Sequence, residues 1–221
     1  MKNVDDLFRA KDNKPESKYG STRSTLFGKF YERIIAKWLE LKKDYQLKRR
    51  RNGAVCKPRI EWKEIVLGDF DIAQESSFNQ EKVRQTLQSK FHCTPDGLFE
   101  CNEKVYIWEA KNWPLYPDKG PKVQIWNYLS EHPWILATTC ICDKTKREIS
   151  GFLFSFWDID FTEKNEIEHG VNRIIGKAKF EIILSNEIIE DCIQNQYDWY
   201  VDIITEEKCN IDTFFDQLLG K

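Results

Sequence analysis

Three side chains have the types and the spacing to work on a charged oxygen substrate: Asp96, Glu109 and Lys111. Asp96 sits in a Thr94-Pro95-Asp96-Gly97 turn, and Glu109 and Lys111 end the run Lys104-Val105-Tyr106-Ile107-Trp108-Glu109-Ala110-Lys111. Val105, Ile107, Glu109 and Lys111 share one parity, and Tyr106, Trp108 and Ala110 the other. Alternation of β-branched and aromatic residues predicts a strand. On a strand, positions i and i+2 face the same way, roughly 6.5–7 Å apart, so Glu109 and Lys111 project side by side. A hairpin returning from Asp96 brings its carboxylate beside Glu109. Two carboxylates held together repel, which raises one pKa unless a cation neutralises them. Magnesium suits such a pair, since it takes oxygen ligands, often only one or two carboxylates, and keeps several waters. The ammonium of Lys111 can hold or deprotonate one of those waters. The chemistry implied is metal-assisted hydrolysis of a phosphodiester.

These residues need elements to position them. Phe27, Phe30, Tyr31, Ile34, Ile35, Trp38, Leu39 and Leu41 recur at helical spacing and predict a first long helix over 25–48, with Thr25 as N-cap and Glu32 beside its apolar stripe. Residues 60–72 read as a strand or short extended pair and 76–90 as a polar-faced helix. Asp71, in Gly68-Asp69-Phe70-Asp71, is a rival carboxylate, but it lies much farther from Glu109 than a simple hairpin allows. Three prolines and a glycine break the chain between Asn112 and Pro121. A helix follows from Pro121 to Glu131, with proline in its first turn. Its Gln124 and Tyr128, four apart, face the same way, either as a surface pair or toward the site. Trp134–Cys142 and Arg147–Ile159 read as two strands of a hairpin completing the sheet. Helices are expected at 163–178, 186–195 and 211–219, with a strand at 180–184. The fold class is therefore α/β: a central mixed β-sheet flanked by helices. Residues 1–24 read as a loosely held arm and 25–221 as a single domain.

Composition bounds the function. Hydrophobic residues make up 41% and charged residues 32%, the mix of a soluble globular chain. The net charge of −2 does not suggest a wholly basic nucleic-acid binder, so the distribution of charge matters more. From Lys42 to Arg59 eight Lys or Arg, including Lys48, Arg49, Arg50 and Arg51, stand against Asp44 alone. Such a cluster is either a solvated face or a site that releases counterions on binding DNA. From Glu181 to Lys221 ten acids face two lysines, so this acidic part should avoid DNA. Seven Cys with no CxxC pair and no secretory leader read as free thiols in a cytoplasmic protein. No apolar run approaches the about eighteen residues that cross a membrane. The three His lack zinc-ligand spacing. The absence of a P-loop, dinucleotide fingerprint or G-x-S-x-G elbow argues against a nucleotide cofactor or a serine hydrolase.

With Pro95-Asp96 and Glu109-Ala110-Lys111 in the motif positions, the chain resembles the PD-(D/E)xK nuclease superfamily. Gly28-Lys29-Phe30-Tyr31-Glu32 is similar to the family's first helix with its glutamate, and Gln124-Ile125-Trp126-Asn127-Tyr128 to the Q-x-x-x-Y helix of its RecB-like branch. The resemblance covers residues 25 to about 160. It implies a restriction-endonuclease-like fold and a magnesium-dependent DNA nuclease leaving 5′-phosphates. Asp96, Glu109 and the Ala110 carbonyl would hold Mg2+, Lys111 would orient the attacking water, and Glu32 would hold a water of the ion or a second ion. Gln124 and Tyr128 would lie near the active centre and the DNA backbone. A stand-alone chain of this size resembles a type II restriction endonuclease, a homodimer cutting double-stranded DNA at a sequence. A RecB-like exonuclease or repair nuclease, and a catalytically silent DNA-binding protein, are the alternatives.

Overall fold

The computed structural model describes residues 20–57, 60–61, 81, 83, 85–86, 92–111, 119–136 and 147–218. Asp71, Cys140, Cys142 and most of the expected 60–72 and 76–90 elements lie outside these residues. The first helix, α1, runs Gly20–Lys42, earlier at both ends than the apolar spacing predicts. Ser and Thr in a helix cost only about 0.5 kcal/mol relative to Ala, so Thr25 is interior rather than a cap. The helix stops because Asp44 turns left-handed (φ 54°), with the amides of Lys43 and Tyr45 both donating to the Leu39 carbonyl. The chain then enters an edge strand, β1 (Gln46–Leu47), instead of a further helical turn.

A short pair, β2 (Ile60–Glu61) and β3 (His92–Cys93), is antiparallel. The main sheet adds β4 (Gly97–Cys101) and β5 (Lys104–Lys111), joined by a two-residue turn in which Asn102 and Glu103 both have positive φ. That geometry matches the twist of a tight hairpin. After α2 (Pro121–Glu131) and a 3₁₀ turn over Pro133–Leu136 come β6 (Ile149–Phe156), α3 (Phe161–Ile175), β7 (Lys179–Leu184), α4 (Ser185–Asn195) and α5 (Asp198–Leu218). The five strands lie in the order β1-β4-β5-β6-β7. β1, β4 and β5 pair antiparallel, whereas β5, β6 and β7 are parallel. The protein is thus α/β, with a mixed sheet covered by helices on both faces.

The hairpin expected between Trp134–Cys142 and Arg147–Ile159 is not how β6 is placed. Pro133–Leu136 is a 3₁₀ turn, and both edges of β6 are taken by parallel partners, β5 and β7. The physical reason is in β6 itself. Phe152, Leu153, Phe154 and Phe156 are all buried, on alternating faces. A strand covered on both sides reads as a continuous apolar run and belongs inside a parallel sheet. Gly151 permits the close approach to β7, because a Cβ there would lie 2.6 Å from the Lys179 carbonyl oxygen. The expected 211–219 helix is the end of the longer α5.

One face of the sheet, with Val105, Ile107, Phe154 and Phe180, packs on Ile125, Trp126, Tyr128 and Leu129 of α2 and on Ile167 and Val171 of α3. The other, with Phe99, Trp108, Ala110 and Leu153, packs on Phe30, Ile34, Ile35 and Leu39 of α1, on Ile188 and Ile189 of α4, and on Tyr200 of α5. The two parities of β5 thus serve two cores. At the far edge α3 lends side chains to β7. Asn172 both accepts from the Phe180 amide (2.7 Å) and donates to the Phe180 carbonyl (3.1 Å), and Glu168 accepts from the Ile182 amide (2.7 Å). No helix among the described residues is long and apolar enough to cross a membrane.

Candidate active site

The site forms at the C-terminal end of β5, where the sheet changes from antiparallel to parallel pairing. Open α/β sheets place ligands outside the carboxyl ends of their strands. The β4–β5 register sets Gly97 opposite Trp108, which brings Asp96 alongside the end of β5. There Asp96 Oδ2 accepts the Ala110 amide at 3.0 Å. Beneath, Trp108 donates its indole N–H to Ser155 Oγ at 2.8 Å, which ties β5 to β6 just before the site.

The structure brings Asp96, Glu109, Ala110 and Lys111 together. Lys111 Nζ lies 2.8 Å from Glu109 Oε1, 2.9 Å from the Ala110 carbonyl oxygen and 3.9 Å from Asp96 Oδ2. It also sits 5.1 Å from the centroid of the Tyr128 ring, close enough for a cation–π attraction. One ammonium therefore occupies a nest of three oxygens. Side-chain exposures of 17% for Asp96, 12% for Glu109 and 24% for Lys111 make the site recessed yet open to solvent.

Glu109 is the electrostatic centre. Burial pushes its carboxyl pKa up, and repulsion from Asp96 adds to this, against the opposing pull of Lys111 and the hydrogen bonds from Lys111 and Tyr128. Tyr128 donates its hydroxyl to Glu109 Oε1. Glu32, on α1, is raised by burial and by repulsion from Asp96, with Lys57 and Lys111 opposing and Glu109 adding to the rise. The helix glutamate thus lies in the field of all four charged groups.

The other sequence-predicted residues divide. Gln124 and Tyr128 are buried, at 1% and 4% exposure. Gln124 donates to the Lys119 carbonyl at 2.7 Å, while Tyr128 turns to Glu109. Both face inward. Lys48, Arg49, Arg50 and Arg51 lie on a basic hairpin beside β4, closed by an Arg49–Val55 bridge and by the Cys56 amide donating to the Lys48 carbonyl. Lys48 is bound to Glu100 at 2.5 Å, and Arg147 reaches the same oxygen at 2.6 Å. These two cations, Lys48 first, hold the Glu100 carboxyl below its usual range. Arg49 pairs with Glu40 at 3.2 Å. Arg50 and Arg51 are exposed and make no ion pair with any described residue.

One site residue escaped the sequence reading. Lys57, on the returning arm of that hairpin, places Nζ 2.8 Å from Asp96 Oδ1. Burial lowers its pKa, but the Asp96 hydrogen bond and charge, with Glu32 and Glu109, outweigh this and raise it overall. Its only signal in the sequence was membership of the basic run.

The donor set fits a hard divalent ion. Two carboxylates and a carbonyl are the oxygen ligands magnesium takes, and the Lys111 ammonium already marks their common focus. Among the described residues no group of three or more His, Cys, Asp or Glu is arranged to hold a metal, so the oxygen set here is the two carboxylates and the carbonyl, without Glu32 as a third acid. Cys56, Cys101 and Cys192 are free thiols. Comparison of the chain with protein-family models, with curated proteins and with solved structures returns no match in any of the three.

Proposed function

We propose that this protein is a magnesium-dependent deoxyribonuclease of the PD-(D/E)xK kind, with a restriction-endonuclease-like fold, that hydrolyses phosphodiester bonds in double-stranded DNA and leaves 5′-phosphates. The observation that carries the reading is the meeting of Asp96, Glu109 and the Ala110 carbonyl around one lysine at the end of a central strand. Magnesium, when bound, supplies Lewis-acid stabilisation and a more acidic water. Asp96 and Glu109 supply the charge that attracts it, and the Ala110 carbonyl a neutral third oxygen. Lys111, held beside them by Glu109 and the Ala110 carbonyl, orients the attacking water and donates to the phosphate oxygens as charge builds. Tyr128 holds Glu109 in place, and Glu32 adds a further acid to the field of the site. Arg50 and Arg51 bind backbone phosphates.

The form we favour is a type II restriction enzyme acting as a homodimer on a specific sequence. A RecB-like nuclease working from ends is the second reading, favoured by the packing of the Gln124–Tyr128 helix against Glu109. Circular plasmid incubated with the protein and magnesium separates them: discrete bands point to sequence-specific cutting, and smears or a need for ends to the second. Asp96→Ala and Lys111→Ala each lower cleavage by at least about two to three orders of magnitude, with DNA binding largely kept. Full activity of either variant, or no cleavage of any DNA by the wild type with magnesium or manganese, overturns the proposal.

A further inference from the structure

We propose that Lys57 is an internal counter-ion, bound to Asp96 in the free protein and handed to the substrate's phosphate when a divalent cation takes its place on Asp96. The inference deepens the nuclease reading and rests on it for the identity of the phosphate.

Asp96 cannot readily rotate out of the way. Its Oδ2 is fixed by the Ala110 amide at 3.0 Å, and Lys57 occupies Oδ1 at 2.8 Å. Oδ2, which faces Lys111 at 3.9 Å, already accepts the Ala110 amide, so a cation that spans both oxygens of Asp96 or binds at Oδ1 competes with the Lys57 ammonium. Lys57 is able to give way. Its side chain is 47% exposed, and it belongs not to the sheet core but to the basic hairpin, next to Cys56, which is bonded back to Lys48.

The charges also favour such an exchange. Three acids, Asp96, Glu109 and Glu32, face two ammonium groups, Lys57 and Lys111, in one electrostatic cluster. That is one negative charge in excess, which suits the free protein. A divalent ion turns the excess into one positive charge, and a phosphodiester, carrying a single negative charge, restores balance. One lysine is then no longer needed by a carboxylate. Lys111 keeps partners in Glu109 and Ala110, whereas Lys57 has only Asp96 as a hydrogen-bonded partner among the described residues. Arg50 and Arg51, on the same hairpin, would hold the adjoining phosphates.

The test is calorimetric titration of magnesium chloride into the full chain without DNA, for wild type, Lys57→Met and Lys57→Arg. Lys57→Met binds magnesium about three- to fivefold more tightly, the scale of a partly exposed ion pair, while its affinity for DNA in magnesium falls. Lys57→Arg keeps the pair and matches the wild type or binds magnesium more weakly. Unchanged or weaker magnesium binding in Lys57→Met, an equal gain in Lys57→Arg, or no magnesium binding by either protein overturns the proposal. Should Lys57→Met fail to fold, Lys57→Gln takes its place under the same criteria. The titration needs no cleavage, so the two readings fail separately. A protein that cuts no DNA but shows the gain loses the nuclease reading, and one that cuts DNA without the gain loses the counter-ion.

Discussion

Tyr128 brings a buried hydroxyl to a carboxylate that burial and a neighbouring acid both disfavour as an anion. A hydrogen bond to a charged acceptor is stronger than one between neutral groups, so Tyr128 helps Glu109 stay ionised and aimed. Removing such an orienting partner from a metal ligand costs about 10- to 100-fold in metal affinity or activity. Tyr128→Phe should therefore lower kcat by about that factor, with DNA affinity measured without divalent ions unchanged. Lost DNA affinity at full kcat would instead make Tyr128 a substrate contact. At this scale the sequence was readable wherever chemistry depends on local spacing. Asp96, Glu109 and Lys111 follow from strand periodicity and one hairpin. Lys57 does not, because its approach to Asp96 depends on the left-handed turn at Asp44, which redirects the basic run away from α1. Nor was the burial of Tyr128 evident, since a tyrosine four residues from a glutamine looks alike on either face of a helix.

The elements show why some segments were legible and others not. β5 alternates because each parity meets a different environment, and its end carries charge, so period and polarity agree. β6 is apolar throughout, and such a run does not announce whether its neighbours are parallel or antiparallel. The hairpin expectation failed there. α3 was foreseen, yet its second task, serving β7, was not. Glu168 on that helix is raised in pKa by burial, with the Ile182 amide and Lys164 pulling the other way. A carboxyl whose folded pKa lies above its unfolded value binds more protons in the native state, so its charge costs stability. That cost is fully present above the folded pKa and vanishes below the ordinary carboxylate range, about 4.3. Glu168→Gln keeps an oxygen for the Ile182 amide. It should melt higher than wild type at pH 7, with the difference shrinking as the pH falls toward about 4. A constant difference across that range would assign the change to packing instead.

Across the whole molecule the net charge of −2 conceals a separation, with cations gathered in 42–59 and acids in 181–221. The fold uses part of each internally: Arg33 of α1 reaches Glu206 and Glu207 of α5, while Lys48 and Arg49 serve Glu100 and Glu40. Arg50 and Arg51 remain as the electrostatic reach of the hairpin. Each phosphate contact contributes about 0.9 to the slope of log affinity against log salt. The double change of Arg50 and Arg51 to Ala should flatten that slope by about two, and an unaltered slope would remove the hairpin from the DNA interface. A further limit applies to any pair of copies. The outward amides of Phe180 and Ile182 are already occupied by Asn172 and Glu168, so two protomers cannot fuse their sheets into one continuous ribbon across β7. A second copy has to dock elsewhere than along β7, and loosening that clasp with Asn172→Ala would uncover part of an adhesive edge that the native β7 keeps covered.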